Sequence, residues 1–166
     1  MILTNLINGL APIEKKFNDV LINGININSK EVSPGSLFVA IKGHSNDGHS
    51  FVNDAFKNGA SAVISEKHQA SEIDKPQIIV KDTRKAVSII SSRFYDNPSK
   101  ELVIIGVTGT NGKTTTSYII KKCLSQAGLK TAQIGTTGVI AEGYKQEKTL
   151  TTPDAITLQR LLRNLV

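Results

Sequence analysis

The chain of 166 residues has no tryptophan, one cysteine, one methionine, three tyrosines and five phenylalanines. A single cysteine, Cys123, excludes a disulfide framework and a metal cluster built on thiolates. It falls on the apolar side of a predicted helix, so a buried core thiol is expected there. No apolar run approaches the ~18 residues that a membrane-spanning helix needs. The N-terminal Met-Ile-Leu-Thr-Asn-Leu-Ile-Asn-Gly-Leu lacks the basic n-region of a signal peptide, which makes a cytoplasmic protein the expectation. The net charge of +6 comes with no basic block and no interleaved aromatics, so nucleic acid is not an expected partner and neither is a membrane. A modest positive excess suits phosphorylated, anionic ligands. With 39% hydrophobic and 20% charged residues the composition is that of a globular chain, long enough for one average domain or two small ones.

What is present is concentrated in residues 106–116, Gly-Val-Thr-Gly-Thr-Asn-Gly-Lys-Thr-Thr-Thr. Gly109 and Gly112 allow a tight turn and close backbone approach to an anion, successive N–H groups point inward, and Lys113 adds a mobile positive charge. The shorter Gly-Thr-Asn-Gly-Lys-Thr-Thr form replaces the usual Walker spacing, because Val107 stands where the first glycine of that pattern would fall. Leu102, Val103, Ile104 and Ile105 read as a buried strand entering the loop. Ile119, Ile120, Cys123, Leu124 and Ala127 recur at helical spacing after it, with Gly128 as a left-handed C-terminal cap. Strand, glycine loop and helix make a nucleotide phosphate cradle: Gly109, Thr110, Asn111, Gly112, Lys113, Thr114 and Thr115 are the expected ATP-binding residues, and Thr114 is the hydroxyl placed to ligand Mg²⁺.

The polar cluster Asp96-Asn97-Pro98-Ser99-Lys100 marks a boundary, giving expected domains 1–98 and 99–166. The first reads as a small α/β domain with strands at 20–28, 37–41, 62–65 and 78–80 and helices near 50–58 and 83–95, the last with Ala86, Val87, Ile90 and Phe94 as its buried stripe. In the second, the loop helix is followed by a strand at 131–136. A further helix then has Thr152 as expected N-cap and Pro153 in its first position. Residues 99–166 fall short of the ~100 or more that a complete doubly wound domain needs, so an α/β ATPase domain represented by its first part is expected.

These residues resemble a family. Gly-Thr-Asn-Gly-Lys-Thr-Thr, the segment Ser-Pro-Gly-Ser-Leu-Phe-Val-Ala-Ile-Lys-Gly-His followed by Asp47-Gly48-His49, and Leu-Thr-Thr-Pro-Asp at 150–154 together are similar to the N-terminal part of the muramyl tripeptide synthetases, ATP-dependent Mur ligases of peptidoglycan synthesis. The resemblance implies that residues 1–98 bind a UDP-N-acetylmuramoyl dipeptide and that residues 99–166 begin the ATP-binding domain. It implies Ile27, Ser29, His44, Ser45, Asn46, Thr151 and Thr152 as substrate contacts, Lys113 as the catalytic cation on the phosphates, and ATP with Mg²⁺ as cofactors. The implied reaction activates a carboxylate as an acyl phosphate, which the amine of an incoming amino acid attacks. Asn28-Ser29-Lys30 departs from the family's Asp-Ser-Arg and removes one carboxylate and one guanidinium fork from that corner. The family's carbamylated lysine, its remaining magnesium ligands and its C-terminal domain have no counterpart within these residues, so the chain alone is expected to be inactive and prone to self-association through uncovered apolar surface. A UDP-sugar or ATP-binding module without catalysis, or another ligase of the same superfamily, is the alternative reading.

Overall fold

The computed structural model describes residues 1–10, 18–43, 46–69, 74–144 and 151–166. The chain divides into two compact units, Met1–Asn97 and Pro98–Val166.

The first unit is built on a four-stranded parallel sheet of β1 (Gly24–Asn26), β2 (Ser36–Val39), β3 (Ala62–Ser65) and β4 (Gln77–Ile79), lying in sequence order. Parallel neighbours need a crossover, and α2 (Val52–Lys57), entered through the 3₁₀ turn Gly48–Phe51, supplies one between β2 and β3. Every residue of β2 and β3 is buried, which is why both read as unbroken apolar runs rather than alternating ones. Phe38, 1% exposed, meets Val32, Ala40, Val52, Ala55, Phe56, Ala60 and Val63 in one cluster. Leu37 and Val39 turn to the other face of the sheet and are equally buried. α1 (Leu3–Ile7) packs against α3 (Thr83–Phe94), and Leu3, Leu6, Ala86, Val87 and Ile90 are buried on these two helices. The Arg93 guanidinium ties the pair by donating to the carbonyl oxygens of Leu6, at 2.7 Å, and Asn8, satisfying acceptors at the end of α1.

The strand expected over 20–28 pairs over three residues only, Gly24–Asn26; Leu21 instead makes an isolated bridge to Ile2. The expected buried stripe of α3 holds at Ala86, Val87 and Ile90, while Phe94 is half-buried and stacks edge-on with Tyr95.

His49 is 6% exposed and joins three parts of this unit. Its Nε2 accepts the Glu66 backbone N–H at 3.0 Å, which leaves the ring proton on Nδ1, and the Nδ1–H donates to the Asp47 carboxylate at 2.6 Å. Glu66 in turn accepts the backbone N–H and hydroxyl of Thr83, both at 3.1 Å, at the start of α3. The His49 amide and then its imidazole hold the Asp47 carboxyl below its ordinary pKa of 3.8. A carboxyl depressed by folding contributes stability above its unfolded pKa and loses that contribution as pH falls through the folded one. Urea unfolding is therefore expected to show this contribution intact at neutral pH and lost in acid below 3.8, with Asp47→Asn flattening that part of the profile.

The second unit contains α4 (Lys113–Gln126), the antiparallel hairpin β5 (Ala132–Gly135) and β6 (Gly138–Ala141), and α5 (Ala155–Leu165). The expected strand over 102–105 does not form. A strand exists only by pairing, and β5 and β6 pair with each other, leaving 102–105 without a ladder partner among the described residues. Val103 is accordingly 93% exposed, and Ile104 and Ile105 are also exposed. The same reason overturns the buried cysteine. α4 forms where its periodicity requires and ends before Gly128, whose φ of +83° is the expected left-handed cap, yet it has no buried residue, and Cys123 is exposed.

The N-cap of α5 is Asp154 rather than Thr152. Its carboxylate accepts the N–H groups of Ile156 at 2.9 Å and Thr157 at 3.0 Å, and Pro153 lies just outside the helix. Asp154→Ala is expected to lower the stability of the second unit by about 1 kcal/mol, and Thr152→Ala to leave it unchanged, in denaturant titrations followed by far-UV circular dichroism. At the other end of α5, Arg163 donates to Glu101 Oε1 at 2.8 Å and holds that carboxyl below the usual carboxylate range.

Candidate phosphate-binding site

The site is the turn that launches α4. Gly109 and Gly112 have φ of +151° and +76°, conformations that favour glycine, and an added Cβ would crowd neither position. What glycine provides here is the backbone path itself. Gly112 stands at the N-cap, and no side chain caps the helix. The first-turn N–H groups, of Lys113, Thr114 and Thr115, are thus left for a ligand, at the positive end of a helix of 14 residues. Thr110, Asn111, Gly112, Lys113, Thr114, Thr115, Thr136 and Thr151 line a cavity of about 330 Å³. Among the described residues the lining is made of amides, hydroxyls, one side-chain carboxamide and one ammonium, without a carboxylate, which matches an anion. Lys113 folds back on the loop, donating to the Gly109 carbonyl at 2.6 Å, so its cation lies over the turn that would hold the phosphates.

Two residues missed in the sequence support this turn. Gln133 on β5 is 5% exposed, and its Nε2 donates to the Ser117 hydroxyl at 2.7 Å. Ser117 in turn donates to the Thr114 carbonyl at 3.0 Å, so the hairpin is bonded to the first turns of α4. At the hairpin tip, between paired Gly135 and Gly138, the Thr136 hydroxyl lies 3.0 Å from that of Thr114. Thr-Thr at the two central positions is not the Asn-Gly or Gly-X signature of a two-residue hairpin, and neither residue has a positive φ, so no local signal announced the second strand or its tip.

Thr151 joins the loop residues in the cavity, whereas Thr152 is exposed and is not part of its lining. In the first unit, Ile27 and Ser29 follow β1, and Asn46 follows β2, so both loops leave the carboxyl ends of adjacent parallel strands, where α/β sheets place their ligands. Ser29 is buried at the head of a 3₁₀ turn, Ser29–Glu31, whereas Ile27 and Asn46 are exposed. Asn28 takes over the corner: its Oδ1 accepts the Lys30 N–H at 3.1 Å and its Nδ2 donates to Glu31 at 2.8 Å, a neutral cap in place of an ion pair. His44 and Ser45 lie outside the described residues.

Comparison with known proteins accords with both units. The model of the Mur ligase family, catalytic domain, matches residues 21–95, and that of the Mur ligase middle domain matches residues 107–166. A UDP-N-acetylmuramoyl-L-alanyl-D-glutamate–2,6-diaminopimelate ligase of Bacillus velezensis is 40% identical over 167 residues, covering 99% of this chain and 34% of that protein. A solved structure of a ligase of the same name superposes with a TM-score of 0.64 at 28% identity, covering 87% of this chain and 29% of the other. The MurF ligase of Thermotoga maritima, solved in complex with ADP, gives a TM-score of 0.52 at 28% identity over 83% of this chain and 34% of its own. The chain thus spans about a third of the length of the curated relatives it matches. With its parallel-sheet unit and its glycine-loop unit each matched by a domain of one family, in the same order, the chain belongs to the Mur ligases.

Proposed function

We propose that this chain is the substrate- and phosphate-binding part of an ATP-dependent, carbon–nitrogen bond-forming ligase that adds the third amino acid to UDP-N-acetylmuramoyl-L-alanyl-D-glutamate in the bacterial cytoplasm. The observation that carries this reading is the cavity in which the Gly109–Thr115 loop and Thr151 meet, lined among the described residues by one ammonium and no carboxylate. The names of the relatives favour 2,6-diaminopimelate as that amino acid. In this reading residues 1–98 bind the UDP end of the substrate through Ile27, Ser29, His44, Ser45 and Asn46, and residues 99–166 bind ATP, with Thr151 and Thr152 at the muramyl-peptide end.

In the reaction a substrate carboxylate oxygen attacks the γ-phosphorus of ATP and ADP leaves; the amine nitrogen then attacks the acyl carbon, phosphate leaves, and the amine gives up a proton. Lys113 and the loop amides hold the phosphates and offset the charge that shifts to the leaving ADP. Thr114 fits a Mg²⁺ ligand, a hard oxygen beside the loop lysine, and the bound ion would supply further charge neutralisation. Among the described residues no group of three His, Cys, Asp or Glu side chains could hold a metal, so the ion would come with the nucleotide. Neither the base that takes the amine proton nor the amino-acid pocket is assigned to these residues.

A chimera tests the function. This chain replaces the corresponding first third of the Bacillus velezensis ligase, and phosphate release is followed with ATP, UDP-N-acetylmuramoyl-L-alanyl-D-glutamate and 2,6-diaminopimelate. The expected result is release that requires all three and stops in Lys113→Ala. A folded chimera that binds ATP and UDP yet releases no phosphate would favour a non-catalytic binding module.

A further inference from the structure

We infer that Thr136, at the tip of the β5–β6 hairpin, is a positioning residue that orients the Thr114 hydroxyl toward a nucleotide-bound divalent cation. The inference rests on the phosphate-loop reading above and goes beyond it, since nothing in that reading requires a second hydroxyl at this place.

A threonine hydroxyl that ligates a cation does so through an oxygen lone pair, so its proton points away from the ion and needs an acceptor. Thr136 Oγ1 lies 3.0 Å from Thr114 Oγ1, at hydrogen-bond distance, and on the same cavity wall. A hydroxyl is the suitable partner at that position. It accepts the Thr114 proton without adding a negative charge, which would repel the phosphates entering the same cavity.

The tip is also held in place. Gly135 pairs with Gly138 across the two-residue turn, and β5 carries Gln133, whose buried carboxamide grips Ser117 on α4. Gln133 and Thr136 therefore fasten the hairpin to successive points on α4, Ser117 and Thr114. With β5 held at Gln133, the Thr136 hydroxyl acts from a fixed support rather than from a loose loop. Outer partners of metal ligands of this kind change metal affinity by about 10- to 100-fold when removed.

The test is calorimetric titration of the chain with ADP, in excess Mg²⁺ and in EDTA. The quantity read is the ratio of the two affinities, which separates an effect on the cation from an effect on the fold. Wild type is expected to bind more tightly with Mg²⁺. Thr136→Val, which keeps the shape and loses the acceptor, should lower the Mg²⁺-to-EDTA ratio about tenfold, and Thr136→Ser should restore it. An unchanged ratio in Thr136→Val, or a low ratio in Thr136→Ser, would overturn the assignment, as would wild type that binds ADP with no gain from Mg²⁺. The phosphate-loop reading fails separately: wild type would then bind no ADP in either buffer, or Lys113→Ala would bind it as wild type does, and the role of Thr136 would fall with it.

Discussion

Lys113→Ala is expected to weaken nucleotide binding by the chain about 10- to 100-fold. A hydrogen bond to a charged group contributes about 1.5–3 kcal/mol, and each 1.4 kcal/mol is a factor of ten in affinity. The ammonium already lies over the phosphate turn, 2.6 Å from the Gly109 carbonyl, so binding requires only a swing of the side chain from carbonyl to phosphate oxygen. The amides of the first turn of α4 and the Thr114 hydroxyl remain in the variant, which is why the loss is bounded. Lys113→Arg should recover part of the affinity, because it restores charge but replaces a compact ammonium by a planar fork in a turn shaped for the former. Calorimetry with ADP and Mg²⁺ reads both, and equal binding by wild type and Lys113→Ala would remove the lysine from the site.

Phe38→Ala is expected to cost about 3–5 kcal/mol, the range for deleting a buried aromatic side chain. Phe38 is nearly fully buried in β2, between β1 and β3, and its cluster includes a second buried phenylalanine, Phe56. Total stabilities of about 5–15 kcal/mol leave little reserve against such a loss. The variant should unfold at a much lower urea concentration, while Phe38→Leu, which keeps most of the apolar volume, should fall between. Because Ser29 and the loop after β2 hang from this sheet, Phe38→Ala should also lose UDP binding in proportion to the fraction unfolded. A variant with a wild-type midpoint would show that the sheet does not depend on this cluster.

The first unit was readable because its signals are local and mutually consistent. Leu37–Val39 and Ala62–Ser65 are apolar runs of strand length, and the Ala86, Val87 and Ile90 stripe identifies α3. The His49 network was not readable, since its bonds reach from Asp47 to Glu66 and on to Thr83, and no periodicity links such positions. In the second unit the glycine turn that launches α4 was legible from two glycines, a lysine and the helical spacing that follows. The strand and the buried thiol were misjudged for one reason: a residue's apolarity shows that it can be covered, but what covers it lies elsewhere in the chain. Val103 is almost fully exposed, and Cys123 is exposed as well. Thr152 and Asp154 were confused because both are good N-caps two residues apart, and the choice falls to the carboxylate that reaches two helix amides. Thr136 was missed because its meaning comes only from Thr114, 22 positions away.

If the proposed function holds, the chain carries two separate ligand sites, one for UDP in the first unit and one for nucleotide phosphates in the second. Titrating UDP-N-acetylmuramoyl-L-alanyl-D-glutamate into the chain, alone and with saturating ADP and Mg²⁺, tests it most directly. One saturable site is expected, for which UDP competes, which persists in Lys113→Ala and which remains available when the glycine loop is filled. Absence of binding by the folded chain, or displacement of the UDP ligand by ADP at that same site, would contradict it.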